Sequence, residues 1–424
     1  MAVHVVKKGD SLWAISQRYS IPISILTNTN GLRSDKLMPG LSLYIPGRDF
    51  IRAYQIKAGD TLYNIAALYQ TTVMSIMMVN PGINPYQLRP GQVISIPSDV
   101  KMPLQILGFV VPSSPESILP ILNEIGDGLT YIAVTAFSFT DEGYAYADLK
   151  DEEVVGRSRE LGIIPLLMVR NYRADKFDAP LAGRVFGNRQ YRRNLVLSLA
   201  NMARQRGYGG VSIDIEFIPP GNRNDFNDFL RELKAELGNM ILQVNVHAKV
   251  QDMPQNPIVG AYDYETIGRI ADITAVMTID YGYPGGPPDP ISPYWWTAEV
   301  IRYSLTQIPP QKMMIAMALY GYDKSGQNNE TKALSVLAAQ NQAIAKGSSI
   351  KWDIAAQSPF YTYQSGSTRH IVWFEDIRSY IEKIRLIDAN RLLGTTLWQL
   401  SLPAPQLWTY LKNNTQGRQS LISR

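Results

Sequence analysis

The 424-residue sequence contains no cysteine and only three histidines, at positions 4, 247 and 370. Disulfide bonds are therefore excluded, and a metal site built from histidine and cysteine is disfavoured. A Ser-His-Asp triad would have to use one of these histidines, but none lies near a nucleophile-elbow motif. The sequence thus predicts neither a metal nor a cofactor.

Long apolar runs are also missing. The amino-terminal segment has no apolar stretch of the length that a secretory signal needs, and no later run is long enough to span a bilayer. We therefore expect a chain that begins directly with its first folded unit and has no membrane partner. The formal net charge is only +4, which is too diffuse to favour a nucleic-acid partner. The length and a hydrophobic content of 45% predict a globular protein of two or three domains.

Residues 1–99 contain a twofold repeat. The segment GDSLWAI at 9–15 recurs as GDTLYNI at 59–65, an offset of 50 residues. A fixed period of this kind indicates two copies of one structural unit. Each copy predicts a strand, two helices and a closing strand, with the Gly-Asp-Ser/Thr turn capping the first helix. The predicted boundaries are 1–48 and 49–99, with a short connection at 47–49.

These units resemble the LysM module, whose marks are the Gly-Asp-Ser/Thr-Leu turn and an asparagine before the second loop. LysM modules bind glycans that contain N-acetylglucosamine, in a groove between the first turn and the loop after the second helix. The resemblance implies two tethered sites that together raise the apparent affinity for a polymer. The alternative is that the turn residues serve only as helix caps. The candidate glycan-binding residues are Gly9, Asp10, Ser11, Asn30, Gly59, Asp60, Thr61 and Asn80.

Residues 100–424 alternate apolar β-type runs with amphipathic helical ones, such as 189–206 and 223–237. Eight such strands with helical crossovers favour a parallel (β/α)8 barrel, an α/β fold. A doubly wound open sheet is the alternative, but no Gly-rich phosphate turn follows the first strand. The barrel is expected to have its own core, with the repeats acting only as tethers. The predicted strands are 104–111, 131–139, 163–169, 211–217, 241–247, 273–281, 313–320 and 393–400.

A long segment separates the seventh and eighth predicted strands. Within it, residues 332–346 predict a helix, and residues 350–354, 360–363 and 371–374 predict short strands. The segment from about 322 to 374 is therefore expected to form a small α+β insertion at the carboxyl ends of the barrel strands. Such an insertion would deepen a groove for a polymer, and the alternative is a lid without substrate contacts.

The fourth predicted strand carries the strongest chemical signal. Apolar and polar side chains alternate along 211–217, so Ser212, Asp214 and Glu216 face the barrel interior and the apolar residues through Phe217 face outward. Two carboxylates are costly inside an apolar barrel but tolerable at its open end. The prolines at 219–220 end the strand, which places Glu216 at its carboxyl end. A neighbouring carboxylate raises the pKa of a carboxyl group, which favours an acid that is protonated near neutral pH.

Other strand ends supply polar and aromatic side chains. Aromatic rings stack on sugars, and amides and carboxylates bind hydroxyl groups, so this cluster favours a sugar site. A divalent metal pair is the competing use of Asp-x-Glu, but hard cations would need further carboxylates. The candidate substrate-binding residues are Ser212, Asn245, Met277, Asp280, Tyr281, Tyr320 and Trp398; His247 also lies at the end of the fifth strand.

Residues 209–216 resemble the Asp-x-x-Asp-x-Asp-x-Glu signature of glycoside hydrolase family 18. Residues 277–280 are similar to that family's Met-x-Tyr-Asp motif, and Tyr-Gly at 320–321 matches a further motif after strand seven. The resemblance implies that Glu216 is the acid/base and that Asp214 orients the substrate's own 2-acetamido group, which is the nucleophile. Trp398 would form the floor of the sugar site.

Three positions depart from the family pattern. Gly209 and Ser212 replace two aspartates of the signature, and Ile279 replaces the tyrosine of the second motif. Ser212 can still hydrogen-bond Asp214, and Tyr281 is a candidate replacement for the missing tyrosine. Because the acid and its immediate partner are both present, activity is expected to survive.

The full arrangement resembles the spore cortex-lytic N-acetylglucosaminidases of endospore-forming bacteria, through the two amino-terminal repeats, the missing export signal and the Trp-Gln-Leu of the eighth strand at 398–400. It implies a retaining endo-β-N-acetylglucosaminidase for peptidoglycan, acting on cortex fragments during germination. The expected location is the spore coat or cortex, or otherwise the cell wall, and a monomer is expected. The alternatives are a chitinase and a non-catalytic, lectin-like wall-binding protein.

Overall fold

The carboxy-terminal part of the chain forms a closed barrel of parallel strands, which confirms the predicted fold class. The computed structural model describes residues 2–47, 50–98, 100–111, 115–147, 150–326 and 329–417. Each barrel strand pairs in parallel with the next, and β8 closes on β1 through Gly394 opposite Gln105. Over the described residues the eight strands are β1 Gln105–Val110, β2 Tyr131–Phe139, β3 Ile164–Arg170, β4 Gly210–Asp214, β5 Ile241–His247, β6 Ile273–Met277, β7 Met313–Ala318 and β8 Gly394–Trp398.

Helices pack around this barrel and connect its strands. They are Pro115–Ile125, Glu152–Glu160, Ala179–Gly187, Arg189–Gln205, Arg223–Leu237, Tyr264–Ile270, Tyr294–Ser304, Ile377–Asn390 and Pro405–Asn414. Short strand pairs join Ser138–Phe139 to Ala145–Tyr146, Tyr172–Arg173 to Lys176–Phe177, and Met102–Pro103 to Thr415–Gln416. The predicted helix at 223–237 and the predicted strands at 131–139 and 241–247 agree with the structure at both ends.

The barrel has two apolar layers, and β4 contributes to only one of them. Val211, Ile213 and Ile215 are fully buried in the layer between strands and helices, as the alternation predicts. The cluster inside the barrel contains no β4 residue, because β4 points Ser212 and Asp214 inward instead. This inner cluster comprises Leu107, Phe109, Tyr131, Ala133, Leu166, Met168, Ile273, Ala275 and Met314.

Gly209 stands where the family signature has an aspartate, and the packing gives the reason. A Cβ atom at this position would lie 2.5 Å from the Cγ2 atom of Ile164 on the neighbouring strand. A side chain here would have to displace the Ile164 side chain, so close packing beside the start of β4 favours glycine at this position.

Several predicted boundaries were wrong. β4 ends at Asp214 rather than Phe217, and β6 ends at Met277 rather than at residue 281. Phe217 and Asp280 adopt positive φ angles of 55° and 56°, which turn the chain out of each strand direction. Phe217 therefore does not continue the outer apolar face. The predicted helix at 332–346 begins instead as a strand, Thr331–Ser335.

The insertion after β7 is a small α+β unit, as predicted. Its antiparallel sheet has the strand order Thr331–Ser335, Tyr320–Ser325, Thr368–Trp373, Ser358–Ser365 and Lys351–Asp353. The helix Val336–Ala345 packs on this sheet through Ala339 and Ala343. Because its first strand starts two residues after β7, the insertion rises directly from the carboxyl end of the barrel.

Each amino-terminal repeat has the predicted strand–helix–helix–strand order. The first comprises Ala2–Val5, Leu12–Tyr19, Ile23–Asn30 and Ser42–Ile45. The second comprises Phe50–Gln55, Leu62–Leu68, Val73–Val79 and Val93–Ser98. We refer to residues 2–47 as module 1 and to residues 50–98 as module 2. Most of the connection predicted at 47–49 lies outside the described residues.

Module 1 is not a separate tether, and this expectation was wrong. Its apolar residues share one buried cluster with the insertion, where Leu26 and Leu43 lie with Ala343, Tyr361 and Phe374. A shared core of this kind holds two units as one body, because separating them would expose apolar surface to water. Module 1 is therefore structurally part of the same body as the insertion.

Polar contacts reinforce this docking and extend it to module 2. The Ser42 hydroxyl donates to Asp376 Oδ2 at 2.8 Å. In module 2, the guanidinium of Arg52 donates to both carboxylate oxygens of Asp388, with distances of 2.7 and 2.9 Å, and the Ala53 backbone N–H donates to the same carboxylate. A bidentate Arg–carboxylate pair with little solvent exposure fixes orientation as well as distance. Both modules are thus held against the barrel.

Over the described residues, no single helix is long and apolar enough to cross a membrane, although the bent pair Leu62–Leu68 and Val73–Val79 passes on length and composition.

Candidate active site

A cavity of about 580 Å³ opens at the carboxyl ends of the barrel strands. It brings together six of the residues predicted to touch substrate or act on it, at or just beyond the ends of β4, β5, β6 and β8. These are Asp214, Glu216, Asn245, Met277, Asp280 and Trp398. The lining also includes residues that the sequence did not assign to the site, among them Arg170, Phe177, Phe217, Ile258 and Tyr283.

Asp214 is the last residue of β4 and is almost completely buried. Its Oδ1 atom accepts a hydrogen bond of 3.0 Å from the amide of Asn245 on β5. Burial is the main cause that raises the pKa of Asp214 to about 7, and the negative charge of Glu216 adds to it. Arg170, Asn245 and His247 act in the opposite direction. Asp214 therefore keeps its proton to a higher pH than an ordinary aspartate does.

Ser212 supports Asp214 indirectly, which corrects the predicted direct bond. Its hydroxyl donates to the side-chain oxygen of Gln243, whose amide donates to Asn245 Oδ1 at 2.8 Å. Asn245 then donates to Asp214, so a buried relay of three side chains orients the carboxylate. Ser212 is fully buried below the cavity, and the prediction that it contacts substrate was wrong.

Glu216 lies two residues beyond the end of β4 and is held there by its backbone. Asn171, fully buried after β3, accepts a hydrogen bond from the Glu216 N–H at 2.9 Å and donates one to the Glu216 carbonyl at 2.8 Å. The hydroxyl of Tyr262 donates to the preceding carbonyl, of Ile215, at 2.8 Å. These bonds replace strand pairing and fix the carboxylate at the cavity wall.

His247, at the end of β5, is the nearest basic side chain to Glu216. Its Nε2 atom lies 2.9 Å from Glu216 Oε2, but the two groups are not aligned as a hydrogen bond. The imidazole also packs against the ring of Phe217, with centroids 5.5 Å apart. The sequence analysis had placed His247 at the end of the fifth strand but had not assigned it to the site.

Asp280 is tied to the insertion. It accepts hydrogen bonds from the hydroxyls of Tyr320 at 2.6 Å and Tyr322 at 2.8 Å. Burial raises the pKa of this carboxyl group, while the two tyrosine hydrogen bonds lower it. Tyr320 itself does not line the cavity and acts by holding Asp280, which corrects its predicted substrate contact. Tyr322 had not been recognised, because the predicted strand ended at residue 320.

Tyr281 does not replace the tyrosine missing from the second motif, and this prediction was wrong. Its ring packs against Trp295 and Trp296, with centroid distances of 5.3 Å, and it does not line the cavity. The positive φ of Asp280 directs the chain away at this point. Ile279 and Tyr283 line the cavity instead.

The loop at 282–287 carries Tyr283 and is organised by one cation. Lys324, in the first insertion strand, is 2% exposed, and its ammonium donates to the carbonyls of Tyr283 at 2.6 Å and Pro287 at 2.7 Å, with longer bonds to Gly282 and Gly286. Four carbonyl acceptors satisfy a buried ammonium that has three protons to donate. The insertion therefore shapes one wall of the cavity.

The module residues predicted to bind glycan have structural roles in the two folds. Asn30 is fully buried: its amide bonds to the backbone of Leu26 and Tyr44, and its oxygen accepts from Gln406 of the barrel, so it cannot reach a glycan. Asn80 makes the same pattern of bonds to Ile76 and Ser95 in module 2. The prediction for Asn30 was wrong, because its side-chain amide is fully hydrogen-bonded within the protein.

The two turns were interpreted as either glycan sites or helix caps. Their hydroxyl side chains do cap the helices, while their aspartates close the turns. Asp10 and Asp60 each accept from a backbone N–H three residues earlier, at 2.8 and 2.7 Å. Ser11 and Thr61 accept from the N–H three residues later and begin the first helix of each module. A glycan role for Gly9 and Gly59, which lie at positive φ in open space, stays a prediction.

Sequence comparisons agree with this geometry. The model of the glycosyl hydrolases family 18 matches residues 176–402, more than half of the chain, and includes both carboxylates of the β4 segment. The chain belongs to glycosyl hydrolase family 18. It is therefore a glycoside hydrolase by family, and its barrel is the family's catalytic fold. The LysM domain model matches residues 4–46 and 54–97, within modules 1 and 2.

Relatives of this family member match over nearly their whole length. A Bacillus subtilis protein described as a sporulation-specific glycosylase is 31% identical over 96% of this chain and 98% of its own. A cortical fragment-lytic enzyme of Bacillus anthracis is 29% identical over 96% and 97%. The crystal structure of the Bacillus cereus spore cortex-lytic enzyme SleL has a TM-score of 0.85 at 28% identity and covers 98% of each chain. The similarity therefore includes the docked modules as well as the barrel.

Among the described residues, no group of three or more His, Cys, Asp or Glu side chains is arranged to hold a metal ion.

Proposed function

We propose that this protein is a retaining endo-β-N-acetylglucosaminidase that hydrolyses bacterial peptidoglycan, with spore cortex fragments released during germination as its substrate. The similarity in sequence and structure to enzymes named as cortex-lytic supports this substrate class. The observation that carries the proposal is the pairing of Asp214 and Glu216 on one wall of the cavity.

In the proposed reaction, Glu216 gives its proton to the glycosidic oxygen as the bond from that oxygen to the anomeric carbon breaks. The oxygen of the substrate's 2-acetamido group forms the new bond to the anomeric carbon, with Asp214 binding the acetamido N–H. Water then attacks the anomeric carbon as the bond to the acetamido oxygen breaks, and it gives a proton to the Glu216 carboxylate. Each of the two steps inverts the anomeric carbon, so the product keeps the β configuration of the substrate.

A substrate nucleophile is favoured because the third acidic group at the cavity is already engaged. Asp280 accepts hydrogen bonds from two tyrosine hydroxyls. The acidic residues that line the cavity, within the described part of the chain, are Asp214, Glu216 and Asp280. This leaves no free carboxylate to attack the opposite face of the sugar.

Asp214 is suited to its proposed role by its surroundings. The relay from Ser212 through Gln243 and Asn245 fixes the carboxyl orientation, and burial favours its neutral form until a positive charge develops on the bound acetamido group. Trp398, whose ring packs on Phe109 at 5.4 Å, offers an apolar surface for the sugar ring.

The two LysM modules would bind N-acetylglucosamine-containing peptidoglycan and keep the enzyme on the wall. We propose domain boundaries of 1–48, 49–99 and 100–424, action as a monomer, and a location in the spore coat or cortex.

Mass spectrometry of cortex peptidoglycan digested with the purified protein tests the proposal. New reducing ends on N-acetylglucosamine are expected, and Glu216→Gln should lower their formation at least a hundredfold because it removes the transferable proton. Reducing ends on the muramic sugar, or cleavage of chitin oligomers alone, would overturn the assignment. Retained turnover in Glu216→Gln would remove Glu216 as the acid. Binding without any cleavage would favour a lectin.

A further inference from the structure

Arg170 is the last residue of β3 and lies in register with Asp214 on β4. It lines the same cavity as both carboxylates, yet the sequence analysis gave it no role. In the family signature, the charged residues lie on β4. A cation contributed by the neighbouring strand therefore needs its own explanation.

The guanidinium of Arg170 is unpaired in the part of the chain that the structure describes. It makes no hydrogen bond and no ion pair there, and its Nε atom is buried without an acceptor. It lies over the face of Tyr172, with 4.7 Å from the guanidinium carbon to the ring centroid, and its charge acts on the Asp214 carboxyl group. Nearby, the carboxylate of Asp214 takes its hydrogen bond from Asn245 instead.

Arg170 lines the cavity and a guanidinium has only donors, so a ligand bound in the cavity can supply acceptors to it. The planar guanidinium can donate two parallel hydrogen bonds to a group with two oxygens, or donate to a single carbonyl oxygen. Its contact with the ring of Tyr172 fixes its orientation. A planar, oxygen-rich substituent of the substrate would suit this guanidinium.

The proposed substrate carries such a substituent. Peptidoglycan alternates N-acetylglucosamine with muramic sugars, whose lactyl group ends in a carboxylate, an amide or a lactam carbonyl. Chitin oligomers have a hydroxyl group at the same position. We propose that Arg170 determines specificity by binding the carbonyl oxygen of the lactyl-derived group on the muramic sugar next to the cleaved bond. This inference rests on the proposed function.

In an alternative role, Arg170 would act only by stabilising the negative charge of Asp214. That role affects every substrate equally, because the acetamido group is present in chitin and peptidoglycan alike. The two roles are separated by the ratio of kcat/KM for two oligosaccharides of equal length, one cut from cortex and one made of N-acetylglucosamine.

Arg170→Met should lower that ratio roughly tenfold to a hundredfold, the effect of losing a hydrogen bond to a charged group. Arg170→Lys keeps the charge but loses the fork, so an intermediate ratio is expected. Arg157→Met is the matched control, since Arg157 is an exposed arginine paired with Glu160 on an outer helix. Equal losses on both substrates would overturn the inference.

A binding measurement separates this inference from the proposed function. In the Glu216→Gln protein, calorimetry with N-acetylmuramic acid tests the carboxylate, and calorimetry with a muramic-δ-lactam disaccharide tests the lactam. At least one should bind more tightly than the matched N-acetylglucosamine sugar, and Arg170→Met should abolish the difference. Such a preference without cortex cleavage by the wild type would refute the proposed function alone. Cleavage without an Arg170-dependent preference for either ligand would refute the inference alone.

Discussion

Asn171 holds Glu216 by both ends of one amide. Its side-chain oxygen accepts from the Glu216 N–H at 2.9 Å, and its nitrogen donates to the Glu216 carbonyl at 2.8 Å. β4 has already ended at this point, so the side chain supplies the two bonds that a neighbouring strand would otherwise make. The placement of the proposed acid thus depends on a residue from the adjacent βα loop.

Asn171→Ala should lower kcat on cortex fragments by roughly tenfold to a hundredfold, because small displacements of a reacting group have effects of this size. Steady-state kinetics would measure the loss. Asn188→Ala is a suitable control, because it also removes an asparagine side chain that bonds to the backbone, here the N-cap of helix Arg189–Gln205. Its loss should lower the free energy of unfolding by about 1 kcal/mol. An unchanged kcat in Asn171→Ala would show that the backbone clamp is dispensable.

The stereochemistry of the product tests the role of Asp214. Proton NMR of the fresh reducing end should show the β-anomer first, and a thiazoline analogue of the sugar should inhibit. Asp214→Ala should lower kcat strongly with little change in substrate binding, because the bond to the acetamido group strengthens as charge develops. An initial α-anomer would mean inversion by an activated water and would remove Asp214 from its proposed role.

The same residue should reduce stability as pH rises. Folding raises the pKa of Asp214 from an ordinary value of about 3.9 to about 7, so the unfolded chain releases this proton first. Between those two values the unfolded state binds fewer protons, and the free energy of unfolding falls with increasing pH. Asp214→Asn removes the titrating group. The free energy of unfolding of this variant, relative to wild type, should therefore increase from pH 4 to 7 and stay constant above pH 7.

Urea unfolding at pH 5 and pH 8 measures this difference. One pKa unit corresponds to about 1.4 kcal/mol, so a gain on the order of 2–4 kcal/mol is expected at pH 8, and a smaller one at pH 5. Asn is nearly isosteric and can still accept from Asn245. An advantage that is equal at both pH values would contradict the raised pKa.

The two modules should contribute unequally to wall binding. The loop after the second helix of module 1 is fixed on the insertion: a Cβ at Gly40 would lie 1.7 Å from the carbonyl oxygen of Ile350, while one at the equivalent Gly91 meets nothing within 4 Å. Module 2 exposes Tyr63 by 75% and Tyr86 by 93%, beside its first turn and in its second loop. An open loop with an exposed ring suits sugar stacking.

The double variant Tyr63→Ala/Tyr86→Ala should weaken binding to insoluble peptidoglycan roughly tenfold, since each stacking contact contributes on the order of 1 kcal/mol. Hydrolysis of short soluble fragments should not change. Trp13→Ala tests the equivalent exposed ring of module 1 and should have a smaller effect; Ile354→Ala, on the insertion, controls for loss of surface apolar area. Equal effects in the two modules would contradict the asymmetry.

Sequence patterns were sufficient for the barrel and its main carboxylates. Strand alternation placed Asp214 at the open end of β4, and periodicity predicted the helix at 223–237 at both ends. Left-handed turns were not foreseeable, because Phe217 and Asp280 adopt conformations that their residue types seldom take. Those two turns account for the wrong strand ends and for the misplaced Tyr281.

Residues that act through a neighbour were also missed. Asn171 and Lys324 have ordinary sequence surroundings, and their importance comes only from the backbone groups that folding brings to them. The same holds for module 1, whose sequence is that of a free unit. Its barrel-facing contacts pair residues more than 300 positions apart, such as Ser42 with Asp376, a separation that no local pattern reports.

The bidentate pair between Arg52 and Asp388, with the apolar core shared by module 1 and the insertion, sets a constant distance between the wall-binding surface and the cavity. A flexible linker would let an anchored enzyme sweep a wide radius of glycan. With the modules fixed, an anchored molecule reaches only the bonds that lie at that one distance. Once these are cut, it must detach before it can cut again, so tighter anchoring slows the digestion of a solid wall.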